Sequence, residues 1–177
     1  AYVVSKRAFV AGWEYMLDSA IFTAPATLKW AGAALINGSG RLVGIGSLLV
    51  RDSVEPGSPL PGNMFVPTDE LKPILADLIK QGRRSGPARP WLGMSTDEAQ
   101  GRLFVTRVTS GGPAERAGVR SGDIVIGVSG KPVRSQEELY RGIWAMGPAG
   151  TKVPLRLLQG ADLREISVES EDRQDRV

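Results

Sequence analysis

Adjacent carboxylates stand at Asp69-Glu70, Asp97-Glu98 and Glu137-Glu138, and paired acids are the residues that glycoside hydrolysis divides into acid and base. Each pair falls at an expected helix start or turn, where carboxylates cap and solvate. The pairs therefore read as structural. Gly44 and Gly46, in Val43-Gly44-Ile45-Gly46-Ser47, have the look of a phosphate loop. The Lys-Ser/Thr pair that such a loop needs does not follow, so these glycines read as strand positions that let a neighbouring backbone approach closely. Histidine is absent from the chain, and so is cysteine. The first absence removes the commonest general base at neutral pH and the commonest metal ligand. The second removes thiolate nucleophiles, sulfur metal sites and any disulfide framework. No residue pattern calls for a metal or a cofactor.

The chemistry that remains needs elements to position it. With 177 residues, 42% of them hydrophobic and 23% charged, the chain suits a globular protein of one large domain or two small ones. The net charge of +3 is spread along the chain, which speaks against a nucleic-acid partner. Lys80, Arg83, Arg84 and Arg89 cluster where a helix end and a linker are expected, and cations are favoured there. No apolar run is long enough to span a membrane, and the opening AYVVSKRAFVAGWEY has no targeting design. It reads as a chain entered within a domain.

The first half is strand-rich. AYVVSKRAFVAGW and EYMLDSAIFTAP are β-branched and aromatic runs, and AALINGSGRLVGIGSLLV reads as a hairpin about Asn37-Gly38-Ser39-Gly40. A helix is expected over 68–82, with Thr68 as N-cap and Leu71, Ile74, Leu75, Leu78 and Ile79 on one face, blemished by Pro73. GRRSGPARP is a linker by composition. Beyond it come short strands and two helices: RLFVTRVT, AERAG, GDIVIGVSGKPV, SQEELYRGIWAM with Ser135 and Glu138 in capping-box spacing, and a last hairpin turning near Gly160. The tail SEDRQDRV is polar and expected to fray.

Taken in order, these stretches resemble the HtrA/DegP-type serine proteases, in which a trypsin-like double barrel precedes one or more PDZ domains. DSAIF through AGAALINGSGRLVGIGSLLV is similar to the nucleophile loop and following strands of the second barrel. GNMFVPTDELKPILADLIKQG looks like its last strand and C-terminal helix. PWLGM, GGPAERAGVRSGDIVIGVSGKPV and SQEELYRGIWAMGPAGTKVPLRLL resemble the PDZ binding loop, core and helix. The implied fold is mainly β: residues 1–84 as the C-terminal part of the protease domain, 85–90 as linker, 91–170 as the PDZ domain and 171–177 as tail.

The resemblance also implies functional positions. The family pattern Gly-Asn-Ser-Gly-Gly-Pro-Leu falls on Lys29, Trp30, Ala31, Gly32, Ala33, Ala34 and Leu35. Ala31 stands at the nucleophile position and has no oxygen to attack with. Lys29, Trp30 and Gly32 make the rest of the oxyanion loop, and Lys29 replaces a glycine whose backbone freedom helps form it. Serine catalysis needs a hydroxyl, a base and oxyanion amides, so the chain alone is expected to be inactive. It is either part of a working endopeptidase of unfolded proteins or a pseudoprotease acting as a peptide-binding adaptor. In the PDZ part, Trp91, Leu92, Gly93 and Met94 resemble the loop that takes a terminal carboxylate, Ser95 begins the pairing edge, and Leu139, Ile143 and Met146 form the helix wall. Expected partners are polypeptide substrates or apolar C-terminal peptides. Residues 1–84 are expected to pack on an absent N-terminal protease segment or a second copy, within a homo-oligomer. The family's usual setting suggests the bacterial periplasm or cell envelope.

Overall fold

The computed structural model describes residues 1–176 and is built mainly of β-strands. It divides into two compact units, residues 1–9 with 17–85, and residues 10–16 with 86–177. The strands β1 (Tyr2–Ala11) and β2 (Tyr15–Ala24) lie mostly in the first unit, and the segment joining them belongs to the second.

In the first unit β3 (Ala34–Ile36), β4 (Leu42–Val50) and β5 (Gly62–Pro67) complete a five-stranded sheet of order β1-β2-β5-β4-β3. Ala20, Ile21, Phe22, Met64 and Phe65 are buried, from the adjacent strands β2 and β5. Arg7 lies over the Phe22 ring at 4.0 Å and donates to the Asp52 carbonyl at 2.7 Å. Apolar side chains remain exposed toward the sheet edges and beyond them, Tyr2, Leu28 and Ile36 among them.

The expected helix over 68–82 is broken. Helix α1 (Thr68–Leu71) gives way to a 3-10 turn at Lys72–Ile74, and α2 (Leu75–Gln81) follows. The cause is Pro73, which has no N–H for the α-helical ladder. Thr68 is not the N-cap either: Pro67 holds that place without a side-chain bond, and the Thr68 hydroxyl donates to the Leu42 carbonyl at 3.3 Å. The Gly82 C-cap is as expected, its N–H donating to the Leu78 carbonyl at 3.0 Å. Leu75 and Ile79 stay exposed.

The second unit has a sheet of order β11-β10-β8-β7-β6, formed by β6 (Met94–Ala99), β7 (Arg102–Val108), β8 (Ile124–Val128), β10 (Lys152–Gln159) and β11 (Asp162–Glu169), with the short β9 (Lys131–Pro132) paired to β8. Alternate residues of these strands, including Leu103, Val105, Val125, Val153, Leu155, Leu157 and Val168, enter one core with Leu139, Tyr140 and Ile143 of a helix. That helix is α4 (Gln136–Trp144); α3 (Pro113–Arg116) supplies buried Ala114. Ser135 caps α4 by accepting from the Glu138 amide at 3.1 Å. The capping box is not closed in its usual form, because Glu138 accepts from Arg134 N at 2.7 Å rather than from Ser135 N. The other acids are spent structurally too: Glu98 accepts from Gln136 N at 2.6 Å, and Glu137 pairs with Arg141 at 2.9 Å. The polar tail carries a 3-10 turn at Arg173–Arg176, and Glu171 bridges to Trp91 through the backbone and pairs with Arg176 at 2.8 Å.

Candidate functional site

Two loops carry the residues singled out by sequence. The first, in the first unit, follows β2. Buried Asn63 holds it, accepting from Thr27 N at 2.8 Å and donating to the Thr27 carbonyl at 3.0 Å. From there Lys29 N donates to Thr27 Oγ1 at 3.3 Å, and a tight turn places Ala31 and Gly32 between Trp30 and Ala33, closed by Ala33 N to Trp30 O at 3.0 Å. Gly32 N and Ala33 O clip the turn to Gly46 of β4 at 2.9 and 2.7 Å. Lys29, Ala31 and Gly32 are exposed and Trp30 is half-buried. The turn thus displays a methyl group, Cβ of Ala31, at its tip. That methyl group is no nucleophile, and the chain contains no histidine.

The second loop runs from Trp91 into β6. Trp91 is fixed by paired backbone bonds with Glu171, both 3.0 Å. The Leu92 carbonyl accepts from Ala114 N and the Gly93 carbonyl from Thr109 N, each at 2.8 Å. With the carbonyls held on one side, the amides of Leu92, Gly93 and Met94 converge on the other. Gly93 makes this possible at φ +76°, a region that costs other residues strain, and Trp91 lies so close to it that an added Cβ would meet the indole at 3.0 Å. Three converging amides form an anion seat.

That seat holds a carboxylate from the chain itself. Glu14 Oε1 accepts from Gly93 N at 2.7 Å and Met94 N at 3.0 Å, and Oε2 from Leu92 N at 2.9 Å. Although Glu14 as a residue is only half-buried, burial of its carboxyl group pushes the pKa up to about 7, against the opposing pull of the three amides and of Arg173. The segment leading to it lies along β6: Thr96 N donates to the Gly12 carbonyl at 2.8 Å. Tyr140 ties it to α4, donating to the Ala11 carbonyl at 3.1 Å and accepting from Glu14 N at 3.2 Å. Arg173 donates to the Trp13 carbonyl at 3.1 Å.

Of the expected peptide-binding residues, Trp91, Leu92, Gly93 and Met94 thus surround one seat, and half-buried Ser95 opens the adjoining strand, its carbonyl accepting from Thr106 Oγ1 at 3.2 Å. Leu139 and Ile143 lie wholly inside the core, while Met146 is half-buried against it.

An amide-lined anion seat at the start of an edge strand, with a helix across from it, is how a PDZ domain takes a peptide end, and the PDZ domain model matches residues 90–169. Along more of its length the chain is 33% identical over 151 residues to the periplasmic pH-dependent serine endoprotease DegQ of Escherichia coli, covering 78% of this chain and 31% of that protein. It is 27% identical over 148 residues to the serine protease Do-like HtrA of Bacillus subtilis, covering 73% and 31%. The chain is a homologue of the HtrA/DegP serine proteases. It spans about a third of the length of these curated relatives. A solved structure of the HtrA-type protease AlgW with a decapeptide matches at a TM-score of 0.55 over 88% of this chain and 50% of that one, at 19% identity, which speaks to fold.

Sequence reading singled out residues 91–94 but missed Glu14, the carboxylate that the Leu92, Gly93 and Met94 amides hold. Glu14 lies 78 to 80 positions from the amides it binds, and Gly12-Trp13-Glu14 reads locally as a turn between two strand runs. Tyr140 was equally hidden, being one of several apolar positions on α4. No periodicity or spacing links residues so far apart.

Proposed function

We propose that this chain is the C-terminal part of an HtrA-like serine endopeptidase of unfolded or damaged polypeptides, unable to hydrolyse a peptide bond by itself, with the PDZ domain recognising peptide C-termini. What carries the binding part of this reading is the convergence of the Leu92, Gly93 and Met94 amides on a single carboxylate. Leu92, Met94, Leu139, Ile143 and Met146 then favour an apolar last residue, with Trp91 shielding the seat and Ser95 opening the pairing edge. The inactivity rests on Ala31 at the tip of its turn and on the absence of histidine. A periplasmic or envelope setting is part of the proposal, supported by the named periplasmic relative, and so is a homo-oligomeric state, which the exposed apolar side chains of the first unit favour.

A second reading, a pseudoprotease retained as a peptide-binding adaptor, is favoured by Lys29 and Trp30. A lone lesion at the nucleophile would leave those two family positions intact, and here both differ. Casein digestion by the full-length protein with residue 31 as Ala and as Ser separates the two. Cleavage by the Ala31→Ser form alone supports the endopeptidase. Inactivity of both forms, with retained peptide binding, supports the adaptor.

A further inference from the structure

The occupied seat has a consequence for ligand binding, and the inference rests on the peptide-binding reading above. We propose that Val10–Glu14 is a resident pseudo-ligand of the PDZ domain, with the Glu14 side chain seated where a peptide's terminal carboxylate would go, so that an external C-terminus binds only by displacing this segment.

Four observations converge on it. The first is stoichiometry: all three amides of the seat are engaged by the two Glu14 oxygens, so none is left for a second carboxylate. The second is direction. As the segment advances from Gly12 to Glu14, its partners retreat from Thr96 to Met94, so it runs antiparallel to β6, the free edge of the sheet. This is the course of a strand added to a sheet edge. The third is depth. Val10 packs against the core cluster that contains Leu139 and Ile143, and Gly12 lies so close to β6 that an added Cβ would collide with the Thr96 carbonyl oxygen. The fourth is the far wall. Tyr140 of α4 grips the segment at Ala11 and Glu14, and Gln136 Nε2 donates to the Thr96 carbonyl at 2.7 Å, using the acceptor that an incoming strand would need.

A hairpin tie needing only one hydrogen bond would not combine these features. A carboxylate tethered within the same chain competes at high effective concentration, and a peptide's apparent affinity falls by the fraction of molecules whose seat is open. A segment seated in nine molecules of ten costs an external ligand tenfold. Release of Glu14 restores the three amides, and Gln136 must turn away to free the edge.

The test uses the whole chain and a pool of fluorescein-labelled octapeptides with free C-termini ending in Val, Ile, Leu, Phe or Ala, read by anisotropy. Each peptide is paired with its C-terminal amide. Glu14→Gln removes the seated carboxyl group. Gly12→Val expels the segment while keeping Glu14, and thus separates occupancy from any structural role of the carboxylate. The expected result is at least tenfold tighter binding of free-acid peptides by both variants than by the wild type, with no gain for the amides and with a cooperative unfolding transition retained. Equal affinities of folded variants and wild type overturn the pseudo-ligand and leave the peptide-binding reading standing. Absence of binding by every form overturns both. Should the variants not fold, amide NMR of the wild type decides: saturating peptide must move the Glu14 amide together with those of Leu92, Gly93 and Met94, and movement of the latter three alone overturns the proposal.

Discussion

Raising the pH from 5 to 8 should loosen the hold of the Leu92–Met94 amides on Glu14 and so strengthen binding of an external C-terminal peptide. Seated, the Glu14 carboxyl titrates at about 7; released, it returns to the ordinary value of 4.5. Below about 4.5 both forms are protonated and pH has no leverage. Between 4.5 and 7 the released form is ionised while the seated form keeps its proton, so each rise of one pH unit favours release by about tenfold. The shift from 4.5 to about 7 corresponds to about 3 kcal/mol in all, at about 1.36 kcal/mol per pH unit. The cause is desolvation, opposed by the amides and by Arg173. Other titratable groups face this corner: Tyr140 from α4, whose phenol is itself raised by burial, and Glu98 from β6, which acts on Tyr140. Glu14→Gln isolates the effect of Glu14 from theirs. In anisotropy titrations from pH 5 to 8, a range in which the peptide's own terminal carboxyl stays ionised, wild-type affinity should climb toward that of Glu14→Gln, which should stay flat. A wild-type affinity that is flat or falls with pH, or a Glu14→Gln slope equal to the wild type's, would refute the reasoning.

Other perturbations probe the frame. Leu139→Ala empties a wholly buried position of the PDZ core and should cost about 2–5 kcal/mol in urea unfolding; a loss below about 1 kcal/mol would mean that this position is not packed as described. Asn63→Ala removes both bonds to Thr27 and should cost about 1–3 kcal/mol, with faster hydrogen exchange confined to residues 25–33. The exposed Tyr2, Leu28, Ile36, Leu75 and Ile79 predict that residues 1–84 bind another protease segment or a second copy. Sedimentation velocity should then show concentration-dependent association, and a monomer at all concentrations, without binding of an apolar dye, would argue against it.

The fold was legible where chemistry is local. Alternation marked the strands, Gly82 stopped its helix, and Ser135 capped α4, because each of these depends on neighbours within a few residues. Pro73 was visible as a blemish, yet its result, a 3-10 turn between two short helices, depends on how the chain relieves the missing N–H. Thr68 shows the opposite limit. It has the right side chain for a cap, but the Leu42 carbonyl lies within reach and takes the hydroxyl instead. Acidic residues divided in the same way: Glu137 and Glu138 found partners four positions away, whereas Glu98 and Glu14 found theirs far along the chain. Local sequence marks Glu14 only as a turn residue, and its meaning comes from three amides contributed by a loop more than seventy positions away.

That contrast bears on how this domain would discriminate ligands. An empty seat accepts any carboxylate that reaches it, so selectivity would rest on the apolar wall alone. A seat already filled by a tethered carboxylate imposes a threshold, because an incoming peptide must return more than Glu14, Tyr140 and Gln136 give up. Weakly complementary C-termini then fail even where their last residue fits. The strongest discrimination should fall two residues before the terminus, opposite Thr96, where a ligand on the resident segment's course brings any Cβ against the Thr96 carbonyl, so that glycine is favoured there. Peptides varied at that position should therefore differ more in affinity for the wild type than peptides varied at exposed positions farther from the terminus.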